Sequence, residues 1–189
     1  TWILQNHTPV QPRQYLTDEF SEAAVRFISD HADQPFFLFL AYNAPHLPLE
    51  ATEKYLQRFP QLTGKRKTYA AMVSAIDDGV GDVLAALQMT DIDDDTLVFF
   101  LSDNGGPHLK NASRNTPLKG GKSDVWEGGY RVPFAARYPR AIPVGTTFDQ
   151  PVSSLDIFAT IAALADAPLA ADRPLDGVNL IPHIRGETT

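Results

Sequence analysis

Two short, almost wholly apolar runs constrain this chain more than any other feature. The first, Phe36 to Tyr42, follows Asp33-Gln-Pro35 and is stopped by Asn43-Ala-Pro-His-Leu-Pro48. The second, Thr96 to Leu101, is stopped by Ser102-Asp-Asn-Gly-Gly106. Neither run alternates polar with apolar residues, so each expects cover on both faces, as a central strand of a parallel sheet has. Helical patterns lie around them. Phe20, Ala23, Ala24, Phe27 and Ile28 form one apolar face behind Thr17, which reads as an N-cap with Asp18 and Glu19 in the first turn. From Thr68 to Leu87 the stripe Tyr69, Met72, Val73, Ile76, Val80, Val83, Leu84 and Leu87 predicts a second helix. Val132 to Tyr138 reads as a third strand, and Ser153 or Ser154 caps a third helix over Leu155 to Ala165. Alternating helix and strand predicts an α/β fold, a mostly parallel sheet flanked by helices. The ends read as irregular: Thr1 to Gln14 is broken by Pro9 and Pro12, and the Pro-rich tail from Pro168 to Gly186 packs over the surface.

Size and composition allow one such domain. The 189 residues suffice for a real core, and 43% hydrophobic with 21% charged is ordinary for a globular protein. No apolar run reaches the roughly 20 residues of a membrane helix. No basic, apolar and cleavage regions of a signal peptide open the chain. It starts with Thr1 rather than Met, which suggests a fragment or a processed chain. Sixteen basic against 23 acidic residues give a net charge of -7, which argues against nucleic acid as a partner but leaves room for an anionic small substrate at a locally positive site. With no cysteine, the chain has no disulfide, no thiolate metal site and no cysteine nucleophile.

In parallel α/β sheets ligands gather at the carboxyl ends of strands. That rule points to His46, just past the first run, and to Asp103-Asn104, just past the second. A carboxylate beside an amide carbonyl supplies oxygen donors for a hard cation, and Gly105-Gly106 lets the backbone turn tightly there; an ordinary turn is the competing reading. His46 lies between two prolines, which suits a rigidly aimed imidazole acting as general acid, anion binder or metal ligand; a surface histidine is the plain alternative. Lys119-Gly-Gly-Lys122, followed by Trp126-Glu-Gly-Gly-Tyr-Arg131, suits an oxyanion, because glycine admits a close backbone and lysine supplies a point charge; a flexible basic loop would look similar. The order of residues is not that of a nucleotide-binding loop. His7, His31 and His183 read as structural, His31 at a helix end where a cation suits the dipole, while His108 lies nearer the candidate site. The acidic stretch Asp91 to Asp95 reads as a solvated turn. Asn6-His-Thr8 and Asn111-Ala-Ser113 match the glycosylation acceptor pattern, which is frequent by chance.

Taken together, Pro35 to His46, the helix from Tyr69 to Gly81, Ser102-Asp-Asn-Gly-Gly106, Pro117-Leu-Lys-Gly-Gly-Lys122 with Trp126 to Pro133, and Leu155-Asp156 onward to Leu180 resemble the type I sulfatases of the alkaline phosphatase superfamily. The order and spacing fit from about Tyr15 to Gly186. The resemblance makes residues 1–189 the C-terminal portion of a single sulfatase-like α/β domain, N-terminally incomplete. It implies that Asp103 and Asn104 are metal ligands for a divalent cation, usually calcium and alternatively magnesium. It implies that Lys122 contacts sulfate oxygens and that His46 contacts sulfate near the leaving oxygen, both as catalytic and substrate-binding residues.

The family's nucleophile, a formylglycine hydrate made from a Cys/Ser-x-Pro-x-Arg motif, is not in this sequence, nor is the family's first aspartate pair; both are expected in the N-terminal part. The implied activity of the complete enzyme is sulfuric ester hydrolysis on a sulfated small molecule or sulfated glycan, with the chain alone inactive. The implied location is periplasmic or secreted. Two alternatives stay open: a phosphate or phosphonate ester hydrolase of the same superfamily, and a non-catalytic sulfatase-like binding module.

Overall fold

A computed structural model describes residues 2–170 and 172–187, the side chains of His108 and Leu109 excepted. The chain divides into two compact units, residues 1–93 with 102–133, and residues 94–101 with 134–189.

The first unit opens on a hairpin rather than on loop. Strands β1 (Ile3–Gln5) and β2 (Thr8–Val10) pair antiparallel across a two-residue turn whose Asn6 takes a left-handed conformation, φ 55°. Pro9 is tolerated because it faces Leu4 one step beyond the closing Gln5–Thr8 pair. In a tight hairpin that position makes no cross-strand hydrogen bond, so the missing N–H costs nothing.

Helix α1 (Leu16–Asp30) packs on the long helix α3 (Gly64–Met89). Tyr15, not Thr17, is the N-cap of α1. Thr17 is buried, and its carbonyl accepts the Ser21 hydroxyl at 2.8 Å. The buried stripe of α1 is Thr17, Ser21, Ala24 and Ile28, while Ala23 is exposed. On α3 the buried stripe is Ala71, Met72, Ala75, Gly79, Ala86 and Leu87, and Val73 is exposed. Both stripes are displaced toward small residues because small side chains let two helix backbones approach. At Gly79 a methyl group would overlap both the Ser21 hydroxyl and the Tyr42 hydroxyl, which are themselves joined at 2.8 Å.

The short helix α2 (Glu53–Leu56) places Tyr55, fully buried, on Ala71 and Ala75 of α3. The Tyr55 hydroxyl donates to Asp18 and accepts from the Lys54 ammonium at 2.9 Å. Burial, and then the bond to Asp18, hold this phenol above its ordinary pKa. Arg58 forks onto Asp78 with two bonds of 2.7 Å. His31 ends α1 as expected, with Nδ1 2.8 Å from the Phe27 carbonyl and its ring stacked on Phe27.

The run 36–42 differs from the expected central strand. Among the described residues it forms no ladder. Phe36, Leu38, Leu40 and Tyr42 are half-buried, whereas Phe37 and Phe39 are 69% and 78% exposed. Helices α4 (His108–Asn111) and α5 (Glu127–Tyr130) are single turns in the long glycine-rich segment.

In the second unit β3 (Val98–Leu101) pairs antiparallel with β4 (Phe134–Arg137), in the register Val98–Arg137 to Leu101–Phe134. Both sheets among the described residues are thus antiparallel pairs. An antiparallel member within an otherwise parallel sheet is common in α/β folds. The acidic turn includes Asp95, which pairs with Arg140. Helix α6 (Ser154–Leu164) starts at a complete capping box: Ser153 accepts from the Leu155 N–H, and the Asp156 carboxylate accepts from the Ser153 N–H at 2.7 Å. Asp156 also takes the Val178 N–H at 2.9 Å, and the Thr160 hydroxyl takes the Leu180 N–H at 2.9 Å. These bonds fold the tail into α7 (Leu180–Ile184), whose Leu180 and Ile181 are buried. Leu180 and Ile181 therefore join this unit's core, whereas residues 168–170 and 172–176 lie exposed on the surface as expected.

Candidate functional site

Three diglycines build the center of the candidate site. The Gly105 N–H donates to the Gly129 carbonyl at 2.8 Å, and the Gly128 N–H donates to the Lys119 carbonyl at 2.7 Å. The Lys122 N–H points at the Gly106 carbonyl at 3.4 Å. Backbone lies directly on backbone here. A methyl group on Gly105 would overlap the Gly128 carbonyl, one on Gly128 the Gly120 carbonyl, and one on Gly129 the Asp124 carbonyl. Only glycine allows this approach.

Polar side chains stitch the knot together. Asn115 accepts the Gly106 N–H at 3.0 Å and donates to the carbonyls of Gly106 and Gly120 at 2.8 and 3.0 Å. Asp124 accepts the Gly121 N–H at 2.9 Å. The Lys119 ammonium sits 3.7 Å from the center of the Trp126 ring, a cation–π contact. No carboxylate among the described residues pairs with Lys122, so that cation stays available to an anion.

Asp103 and Asn104 enter the knot from the turn at 102–106. The Asp103 carboxylate is exposed and accepts the Asn104 N–H at 2.8 Å. The Asn104 amide donates through Nδ2 to the Gly105 carbonyl at 3.0 Å, which turns its oxygen to the other side. One charged and one neutral oxygen donor side by side fit a hard cation. Among the described residues no group of three or more acidic, histidine or cysteine side chains converges.

The structure thus brings Asp103, Asn104 and Lys122 to one knot. His46 stands in its own loop, which has cis bonds at Ala44–Pro45 and Leu47–Pro48. Its described bonds stay within that loop: Nδ1 lies 2.7 Å from the Leu47 carbonyl, and its N–H donates to Asn43 at 3.0 Å. The ring is exposed, with Nε2 at the far end from the Leu47 contact. His108 begins α4, and its side chain lies outside the described residues.

Asn115 and Asp124 are the residues that the sequence did not reveal. The weak signal for them was an amide and a carboxylate among glycines, polar groups that can bond the carbonyls and N–H groups a glycine leaves bare. The acceptor pattern at Asn111 meets an obstacle: Asn111 and Ser113 are 3% and 4% exposed, and the Asn111 side chain accepts the Ser113 N–H at 3.1 Å.

The sulfatase family model matches residues 2–167. Human steryl-sulfatase is 35% identical over 99% of this chain and 33% of its own length. Human N-acetylgalactosamine-6-sulfatase is 37% identical over 89% of this chain and 32% of its own. The crystal structure of Ps i-CgsB in complex with k-i-k-neocarrahexaose superposes with a TM-score of 0.91 at 44% identity, covering 96% of this chain and 41% of that one. The chain spans about a third of the length of the curated relatives it matches. Its α/β architecture is the alkaline-phosphatase-like fold of these neighbors, and the chain belongs to the sulfatase family.

Proposed function

We propose that this chain supplies the sulfate-binding and part of the cation-binding machinery of a sulfate ester hydrolase, whose substrate is a sulfated small molecule or a sulfated glycan. The observation that supports this reading most is the diglycine knot, which holds Asp103, Asn104 and Lys122 within one hydrogen-bonded unit. The net reaction adds water to ROSO3⁻, breaks the bond between sulfur and the ester oxygen, and gives ROH and hydrogen sulfate. Negative charge sits on the equatorial sulfate oxygens, so catalysis is mainly positioning and electrostatics.

In this reading Lys122 neutralizes an equatorial oxygen. The exposed end of His46 binds the ester oxygen and donates a proton to the departing alcohol. Asp103 and Asn104 would hold a divalent cation, calcium or alternatively magnesium, as membership of the sulfatase family implies. Such a cation polarizes the sulfate and favors ionization of a nucleophilic hydroxyl. Two oxygens are far from the six to eight that calcium takes, and the sequence holds no Cys/Ser-x-Pro-x-Arg motif. Residues 1–189 are therefore read as one portion of a single sulfatase-like domain, inactive alone.

The test is release of nitrophenol from 4-nitrophenyl sulfate by the native gene product that carries this chain, with 4-nitrophenyl phosphate beside it. Lys122→Ala is expected to lower kcat/KM for the sulfate about 100-fold, the scale of losing one oxyanion-stabilizing group. Sulfate turnover by residues 1–189 alone, lost in Lys122→Ala, would refute the assignment of the nucleophile to another segment. Preference for phosphate would replace the sulfatase reading by a phosphatase one, and turnover of neither would leave a binding module.

A further inference from the structure

Asn115, half-buried, commits its whole side-chain amide to backbone. Its Oδ1 accepts the Gly106 N–H at 3.0 Å, and Nδ2 donates to the carbonyls of Gly106 at 2.8 Å and of Gly120 at 3.0 Å. The amide thus holds both polar groups of Gly106, as a neighboring strand would. Its own main chain is fixed in turn, because the Asn115 carbonyl accepts the Leu118 N–H at 2.8 Å. An acceptor and two donors on so short a stem belong to asparagine alone: ionized aspartate has no donor, and serine has a single O–H.

The two stretches that this amide joins carry the two proposed charge-binding elements. Gly106 lies just beyond Asn104, and the Gly105 carbonyl between them accepts the Asn104 Nδ2 at 3.0 Å, the bond that sets which way the Asn104 oxygen faces. Gly120 lies just before Lys122. The other described bond between residues 102–106 and 119–122 runs from the Lys122 N–H to the Gly106 carbonyl, and at 3.4 Å it is near the limit of a hydrogen bond.

Neither glycine has slack of its own. A methyl group on Gly106 would overlap the Ser113 side chain. Gly120 takes φ 81°, and a methyl group there would crowd the Trp126 and Asp124 side chains. Each glycine is backed by its own neighbors, and one amide ties the two together.

We propose that Asn115 is a positioning residue that couples the cation-binding turn to the Lys122 loop and so sets the spacing between the divalent cation and the Lys122 ammonium. This rests on the sulfate ester reading and deepens it. A sulfate held by a cation and an ammonium together needs both charges at one fixed separation, and a misplacement of about 1 Å can cost about 100-fold in rate. Asn115 acts through backbone: its bond to Gly106 steadies the turn that aims Asn104, and its bond to Gly120 steadies the loop that carries Lys122.

The test is a double-mutant cycle on the native gene product that carries this chain, with two probes followed by isothermal titration calorimetry: calcium, and inorganic sulfate at saturating calcium. Asn115→Ala is expected to weaken calcium binding about tenfold, the scale of one or two lost hydrogen bonds, in the wild-type and Lys122→Ala backgrounds alike. It is expected to weaken sulfate binding about tenfold while Lys122 is present and less than about twofold in Lys122→Ala, because the displaced loop matters only while it carries the ammonium. A merely structural role predicts the same factor for sulfate in both backgrounds. That result overturns the coupling, as does unchanged calcium affinity. Asn115→Asp carries the same test if the alanine variant does not fold. It keeps the acceptor for the Gly106 N–H, loses both donors and adds a negative charge. Coupling predicts weaker calcium binding in this variant, whereas tighter binding, the plain effect of the charge, overturns it. The expected cycle in a protein that never hydrolyzes 4-nitrophenyl sulfate keeps the coupling and removes the hydrolase reading. Turnover of that ester with independent losses at the two residues keeps the hydrolase reading and removes the coupling.

Discussion

Replacing Gly105 by alanine tests the diglycine knot at its tightest point. The new methyl overlaps the carbonyl of Gly128 and also meets the Gly129 Cα at 3.1 Å. Neither is the end of a flexible side chain, so relief requires moving backbone. That backbone is held by the Gly105 N–H on Gly129 at 2.8 Å and by the Gly128 N–H on Lys119 at 2.7 Å. Overpacking costs about 1–3 kcal/mol, and losing one of these bonds adds about 1 kcal/mol. The sum, about 2–4 kcal/mol, is a large part of the roughly 5–15 kcal/mol that holds a domain folded. Gly81→Ala is the control. It lies inside α3 with nothing within 4 Å of the new methyl, so alanine is expected to stabilize by about 0.5–1 kcal/mol. Urea midpoints of the two purified variants should therefore move in opposite directions from wild type. A Gly105→Ala protein within about 0.5 kcal/mol of wild type, the range of neutral surface changes, would refute the claim that backbone contact at this glycine holds the site together.

Two further outcomes follow from single side chains. Hydrogen bonding from Arg58 holds the Asp78 carboxyl below its ordinary 3.8, so the pair's contribution is present above that value and is lost as pH falls through the lowered one. The stability difference between wild type and Asp78→Asn, from urea midpoints between about pH 7 and about pH 2, should thus shrink toward the acid end. Asp156→Ala strands the N–H groups of Ser153 and Val178 and should cost about 2–4 kcal/mol, with Asp156→Asn in between because a single amide oxygen replaces two. Thermal melts followed by near-UV circular dichroism check the order.

What the sequence disclosed depended on whether the deciding partner was itself visible in the pattern. Helix α3 was legible because its apolar residues repeat within one segment. Its buried stripe was displaced because hydrophobicity ranks valine above glycine, whereas the contact with α1 favors the smallest residue; Gly79 is buried against Ser21 while Val73 is exposed. The hairpin at the start was hidden by Pro9, since proline argues against a strand until the pairing position of its missing N–H is known. The burial of Leu180 and Ile181 was hidden because Thr160 and Asp156, which fold the end of the tail back, lie some twenty residues earlier, and nothing local links them to Val178 and Leu180.

The same logic separates the parts of the site. Asp103, Asn104 and Lys122 were legible because their chemistry is carried by side chains of distinctive type. The frame that joins them was not, because it consists of carbonyls and N–H groups that every residue possesses. Glycine marks only that something approaches closely, not what. Gly105 approaches Gly128, and Gly128 approaches Lys119 and Gly120, so three separate segments fix one another through atoms that a pattern cannot name. The run 36–42 is the converse case. Its sequence states that both faces expect cover, and Phe37 and Phe39 remain exposed among the described residues, so the requirement was legible while the partner was not. For His46 the consequence is specific. Its loop is stiffened from within, by the Leu47 and Asn43 contacts, so the imidazole can be aimed without help from the diglycine knot, and the two halves of the proposed site can be perturbed separately.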